Sequence, residues 1–397
     1  MLVGLIGRPS SGKSTFFKAA TLMDVLIADY PFATIKPNHG MGFVKIEDLA
    51  PEFGKVADPR EGYVRDGDGK KGKWRFVPFD LLDVAGLVEG ASEGKGLGNE
   101  FLNDLAGADA FIHVVDMSGE SDGEGKPAKD YYPGDDLRII ENELDKWYLG
   151  ILMKVWKVFS RTVEMQKKNL AEAIAGQFSG LKVSVDDVKA VLRKVSGNVE
   201  KPSSWSDVQV REFAQALRKQ SKPMVIAANK MDRPNARENL EKMEKEFDYP
   251  IISCFAEGEL ALKEADKHGL ICYVPGDGEF EVLKELSEKQ KSALDGIRKF
   301  LSEWGSTGVQ EILNKTVLEV LEMICIFPAG DKLTDSKGNV LPDCYLMKKG
   351  STALDFAFRL HTDIGKNFIK AVDVRTKRAV GKEYELKHRD GFEIMTK

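Results

Sequence analysis

Behind the apolar residues Met1 to Ile6 stands a glycine-bounded run, Gly7-Arg8-Pro9-Ser10-Ser11-Gly12-Lys13-Ser14. In that position the pattern G-x-x-x-x-G-K-[ST] is a polyphosphate cradle. Its glycines let the backbone curl so that successive N–H groups point inward, and the positive end of the following helix adds to the field. Lys13 is expected to reach the β- and γ-phosphates, and the Ser14 hydroxyl to ligate a magnesium ion bridging them. Gly7, Ser10, Ser11, Gly12 and Thr15 complete the candidate phosphate-facing set. Farther along, Asp83-Val84-Ala85-Gly86 forms a DxxG. There Asp83 can hold a magnesium-bound water, and the Gly86 amide can meet a γ-phosphate and move once it leaves.

A cradle does not choose a base; Asn229-Lys230-Met231-Asp232 can. The carboxylate of Asp232 can accept from the N1–H and N2–H₂ donors of guanine, and adenine offers no such pair on that edge. Leaving it unpaired costs about 1 to 3 kcal/mol, which favours the guanine nucleotide by about tenfold or more. Asn229 is expected to brace this loop against the cradle, with Lys230 along the base plane. The backbone of Ser253-Cys254-Phe255-Ala256 could approach guanine O6. Between the cradle and the DxxG lies Tyr30-Pro31-Phe32-Ala33-Thr34-Ile35-Lys36-Pro37, where Thr34 is the candidate switch threonine that caps magnesium while a γ-phosphate is present. Lys13, Thr34 and Gly86 are thus the catalytic candidates; Ser14, Thr34 and Asp83 are the metal candidates.

Positioning these groups requires strands that end at them. Short apolar runs do so at Phe76 to Leu82, Ala110 to Val115, Pro223 to Ala228 and Ile251-Ile252, and Lys13 to Ala20 reads as the helix behind the cradle. The glycines at 90, 94, 96 and 98 mark a segment suited to reordering.

YPFATIKP, DVAGLVEGASEGKGLGNEFL and NKMD resemble the Obg-like branch of the translation-factor-related GTPases, closest to the YchF and DRG group and to its archaeal members. LMKKGSTALDFAFRLHTDIGKNFIKAVDVRTKRAVG and LKHRDGFEIMT resemble a TGS domain, a small β-grasp module found with that family. The resemblance implies an α/β P-loop GTPase with a mostly parallel sheet, an inserted helical subdomain and a C-terminal β-grasp domain. It implies GTP/GDP and Mg2+ as cofactors, and a ribosome or other RNA partner. Three departures matter. Leu87 follows the DxxG where a water-orienting Gln would stand in Ras-like enzymes, so unaided hydrolysis is expected to be slow. Ser10 replaces an Asn associated with potassium stimulation, which removes the ground for expecting potassium dependence. Ala33 replaces the first of two switch threonines, leaving Thr34. Some relatives prefer ATP, but Asp232 is retained, and an Obg-like ATPase remains the alternative.

From Asp116 to Asn229 the chain runs 113 positions, far beyond one crossover helix. The division expected is a GTPase domain over 1–118 and 222–305, a helical insertion over 119–221, and a TGS-like domain with a leading helix over 306–397. Ile140, Leu144, Trp147, Ile151, Val155, Phe159 and Val163 recur at helical spacing as one buried stripe within 136–177. Further helices are expected at Val185 to Val195, Ser206 to Lys219 and Glu281 to Trp304. The insertion could be a plain packed hairpin or a protein-binding arm, the latter making the chain a nucleotide-dependent scaffold.

The 58 Lys and Arg against 63 Asp and Glu give a net charge of −5, so no chain-wide pull toward nucleic acid exists. From Tyr345 onward, however, twelve Lys and Arg face seven Asp and Glu. Arg375, Lys377, Arg378, Lys387 and Arg389 could face phosphates, as could Lys70-Lys71-Gly72-Lys73-Trp74-Arg75. No run of 18 apolar residues occurs, so no membrane partner and a cytoplasmic location are expected. The four cysteines show no CxxC spacing and read as reduced thiols. The histidines show no zinc spacing, and His113 in its apolar strand reads as a packed, hydrogen-bonded core residue rather than a ligand.

Overall fold

The structure, a computed structural model, describes residues 1–21, 38–84, 104–123, 125–330 and 332–397. Its first half contains β1 (Leu2–Ile6), α1 (Lys13–Thr21), β2 (Asn38–Glu47), β3 (Tyr63–Gly67), β4 (Lys70–Asp83) and β5 (Ala110–Asp116). The strand expected from Phe76 begins six residues earlier, because β3 turns back antiparallel along the first half of β4. The insertion supplies α2 (Gly134–Met153), α3 (Trp156–Met165), α4 (Leu170–Gln177), α5 (Val185–Leu192) and α6 (Asp207–Ser221). The single stripe expected over 136–177 is therefore broken twice. The break at Lys154-Val155 turns Val155 outward to 36% exposure, while Asn169 caps a fresh start at α4. Capping boxes at Ser184/Asp187 and Ser206/Gln209 open the next two helices.

The chain then returns through β6 (Met224–Asn229), α7 (Ala236–Glu246), β7 (Ile251–Ser253), α8 (Ala256–Lys267), β8 (Ile271–Tyr273), β9 (Phe280–Val282), α9 (Glu288–Trp304) and α10 (Val309–Asn314). Helix α9 starts at Glu288 rather than near Glu281, since Ser287 and Gln290 form its capping box and residues 280–282 pair with β8. After a π-helical turn at Lys315–Val320 come β10 (Met323–Pro328), β11 (Tyr345–Lys348), α11 (Ala353–Leu360), α12 (Thr362–Lys366), β12 (Phe368–Asp373), β13 (Ala379–Val380) and β14 (Gly391–Thr396).

Two sheets organise these elements. One runs β2-β4-β1-β5-β6-β7 with β3 beside β4; the other runs β11-β10-β14-β12-β13. Around β1 all pairings are parallel, through β4 and β5 to β6 and β7. Strands β5 and β6 are buried along their whole length, as expected where helices cover both faces. The insertion keeps a separate core around Tyr148, Trp156, Phe178, Trp205 and Phe213.

The C-terminal sheet is stapled to the first by arginines. Arg75 is fully buried and donates to the carbonyls of Leu341 at 3.1 Å and Pro342 at 2.9 Å. Glu52 receives Arg375 at 2.6 and 3.0 Å and Arg389 at 2.6 Å, and Arg389 also donates to the Glu47 carbonyl at 2.9 Å. Three cations expected to face phosphates are thus spent on holding the two sheets together. Lys377, Arg378, Lys387 and the Lys70-Lys71 turn remain exposed. Among the described residues, no helix is long and apolar enough to cross a membrane.

His113 is packed and wholly buried in β5 as expected, but the hydrogen bond expected of it is not made: neither ring nitrogen has a partner in the wholly buried strand. Burial pushes its pKa down to about 3; Glu141 opposes this and Arg8 reinforces it. The unfolded chain takes up a proton near pH 6.5 that the folded chain refuses, so stability falls as pH drops from about 6.5 toward 3, by about 1.4 kcal/mol per pH unit. His113→Leu is expected to remove that dependence and to raise the melting temperature at pH 5 relative to the parent. Parallel melting curves for both proteins from pH 7 to pH 4 would count against this assignment.

Candidate functional site

Five parallel strands end on one edge of the first sheet. Gly7 follows β1, Asp83 closes β4, Asp116 closes β5, Asn229 closes β6 and Ser253 closes β7. The register aligns Leu5 with Asp83, Asp116 with Asn229, and Ala228 with Ser253. Ligands of open α/β sheets bind beyond such carboxyl ends, where neighbouring connections diverge.

The loop from Gly7 to Gly12 leads straight into α1 at Lys13. Gly12 has φ +89°, and a Cβ there would stand 2.3 Å from the side-chain nitrogen of Asn229. At Gly7 a Cβ would meet the Val114 carbonyl at 2.6 Å and Ser11 Oγ at 3.0 Å. Both glycines are therefore demanded by close approach as well as by conformation. Ser11 Oγ is buried without a hydrogen-bond partner, while Ser14 is exposed and Thr15 is partly so. Lys13 Nζ pairs with Asp83 Oδ1, and Ser14 Oγ lies 3.5 Å from Asp83 Oδ2. The metal candidates Ser14 and Asp83 thus meet beside the loop. Their hydroxyl and carboxylate oxygens are the hard donors a magnesium ion takes, alongside phosphate oxygens and water. Thr34, Gly86 and Leu87 lie outside the described residues, as do the Ala33 position and the glycine-rich segment after the DxxG.

The Asn229-Asp232 segment touches the same loop. Asn229 Nδ2 donates to the Ser11 carbonyl at 3.0 Å, and Asn229 Oδ1 accepts from the Ala256 amide at 3.1 Å. One buried side chain therefore joins the cradle, the end of β6 and the start of α8. Lys230, at φ +62°, donates to the Ser10 carbonyl at 3.0 Å and to Asp116 at 2.8 Å. Asp232 is exposed, with Arg233 Nε at 3.4 Å from its carboxylate. Ion pairs of that open kind are worth about 0 to 1 kcal/mol, so a base presenting two donors can displace it. The Met231 amide donates to the Cys254 carbonyl at 3.2 Å, the Cys254 amide to Ala228 at 2.8 Å, and the Phe255 amide to Thr307 at 2.9 Å. Cys254 thus lies against the Asn229-Asp232 turn, with Ser253 beside Ala228 in the sheet and Phe255 bonded instead to Thr307. Burial pushes the Cys254 thiol well above its usual range, leaving it a packing group.

Sequence reasoning passed over the charges beneath the loop. Arg8 is 3% exposed, pairs with Asp136 at the start of α2, donates to the Asp122 carbonyl, and lies 5.2 Å over the Tyr131 ring. Asp116 accepts from Ser118 Oγ at 2.6 Å, Ser121 Oγ at 2.9 Å and Lys230. Burial works against its charge, but the bonds from Lys230 and Ser118 hold its carboxyl below the usual range. The available signals were an arginine inside the cradle pattern and an aspartate closing a wholly apolar strand.

Known proteins share this arrangement. Residues 2–149 match the family described as a 50S ribosome-binding GTPase, residues 227–331 match the Obg-like GTPase YGR210-like, G4 motif-containing domain, and residues 323–396 match the TGS domain. A GTP-binding protein of Methanocaldococcus jannaschii is 44% identical over 400 residues, covering 100% of this chain and 99% of that protein. The ribosome-binding ATPase YchF of Buchnera aphidicola is 27% identical over 371 residues, covering 93% and 86%. Among solved structures, a GTP-binding protein from Pyrococcus horikoshii OT3 superimposes with a TM-score of 0.78 at 36% identity over the whole of both chains. A 44% identity over the full length, three matched domains and a sheet edge that gathers the glycine-bounded loop with the Asn229-Asp232 turn lead to one assignment: the chain belongs to the Obg-like, YchF-type family of P-loop GTPases carrying a C-terminal TGS domain.

Proposed function

We propose that the protein binds GTP or GDP with Mg2+, hydrolyses GTP slowly, and acts in the cytoplasm as a nucleotide-controlled switch on the ribosome. The observation that carries this reading is the bonding of Asn229 and Lys230 to the carbonyls of Ser11 and Ser10, which makes the phosphate cradle and the base-reading turn one unit. Lys13 and the loop amides from Gly7 to Gly12 would hold the phosphates, and Ser14 with Asp83 would hold Mg2+. When bound, Mg2+ would supply positive charge to neutralise the phosphates. Asp232 would take the guanine donors, Cys254 and its neighbours would line the base from the backbone, and Thr34 and Gly86 would respond to the γ-phosphate.

Leu87 supports slow turnover, because an aliphatic side chain cannot orient water and stabilising groups supplied by partners are worth about 10³ to 10⁵ in rate. With Mg2+ and GTP, phosphate release from the isolated protein is expected below about one per second. Tens of turnovers per second without a partner would overturn the slow-switch reading. The ribosome as partner is supported by the family description of residues 2–149, by the relative named a ribosome-binding ATPase, and by the exposed cations of the C-terminal sheet. Reversing Lys377, Arg378 and Lys387 is expected to weaken co-sedimentation with ribosomes and to flatten its salt dependence.

A further inference from the structure

We propose that the outward face of α3, with the groove beside it, docks an acidic amphipathic helix of a partner protein. Within α3 the residues Trp156, Ser160 and Val163 are buried in the insertion's own core. The opposite face carries Val158, Thr162 and Met165 at i, i+4 and i+7, with Val158 74% and Met165 85% exposed. Such a stripe is the pattern by which one helix receives another.

Its charge is one-sided. Lys154, Lys157, Arg161, Lys167 and Lys168 are all exposed, and none has a carboxylate partner among the described residues. Glu164, the single carboxylate between Met153 and Lys168, accepts from Ser203 Oγ and offsets one of these five charges. This excess of cations on a chain of net charge −5 makes a local field that the rest of the molecule does not explain. Near the C-terminal end of α3, the ends of α3, α4 and α5 enclose a groove of about 700 Å³, floored by Val163, Leu170 and Leu192, with Glu164 and Glu200 set among Lys167, Lys168, Lys189 and Arg193 at its rim. An apolar stripe flanked by Lys154, Lys157 and Arg161 fits an acidic segment with aliphatic anchors.

Other occupants suit the face less well. Two copies of this chain would bring like charges together. Single-stranded RNA would need exposed rings to stack on, and Trp156 is 7% exposed with Phe159 half-buried. A flat anionic membrane would not fill the groove.

The test uses the full-length protein and a fluorescent three-heptad synthetic helix with Leu at its core positions and Glu at the flanks, followed by anisotropy in low salt. Saturable binding is expected, with K157E/R161E and V158S/M165S each weakening it at least tenfold. Melting temperatures are expected to stay unchanged, because all four side chains face solvent. The same helix with Lys in place of Glu is expected not to bind. Equal binding of the Lys helix, insensitivity to both double variants, or tighter charge-dependent binding of oligouridine or phosphatidylglycerol vesicles would each overturn the proposal.

Discussion

Lys13→Ala is expected to weaken GTP binding about ten- to a hundredfold, because a hydrogen bond to a charged group contributes about 1.5 to 3 kcal/mol. The residue has a second role without nucleotide. Lys13 and Asp83 are a buried pair, with side chains 9% and 4% exposed. Removing the ammonium leaves the Asp83 carboxylate buried without its cation, and breaking such a pair costs about 3 to 5 kcal/mol. Urea unfolding of the nucleotide-free variant is therefore expected to show lower stability than the parent, and Mg2+ with GDP is expected to restore part of it by giving Asp83 a new cationic partner. Unchanged GTP affinity in a folded Lys13→Ala protein would remove Lys13 from the phosphate site.

Asp232→Ala is expected to erase the preference for guanine while sparing the fold. The residue is exposed, its side chain partly so, and its ion pair with Arg233 is a weak surface contact. No buried group loses a partner, so a change in binding reports recognition rather than folding. Competition against a fluorescent guanine nucleotide is expected to show GTP weakened about tenfold or more and ATP nearly unchanged. Parallel losses for both nucleotides would mean that Asp232 supports the turn without reading the base.

Local pattern carried the elements of the site, and distance in sequence hid their fastenings. The glycine spacing and the following Lys13 marked the loop and the start of α1, since only glycine tolerates the approach of Asn229 to Gly12. Asn229 was legible as a brace because NKxD is a contiguous pattern. The pairing of Arg8 with Asp136, 128 residues apart, has no periodicity to announce it. Charge counting alone likewise could not tell that Arg75, Arg375 and Arg389 staple two sheets while Lys377 and Arg378 stay in solvent. The broken helix over 136–177 was missed for a related reason: Val155 keeps helical spacing with its neighbours, yet the chain turns there and resumes at Trp156.

The proposed function requires one phosphate-and-guanine site at the carboxyl ends of the five parallel strands. Calorimetric titration of the unmodified protein with GTP, GDP and ATP in the presence of Mg2+ tests it most directly. The expected result is one site per chain, with GTP and GDP bound about tenfold or more tighter than ATP. ATP binding as tight as GTP, or no guanine-nucleotide binding at all, would contradict it.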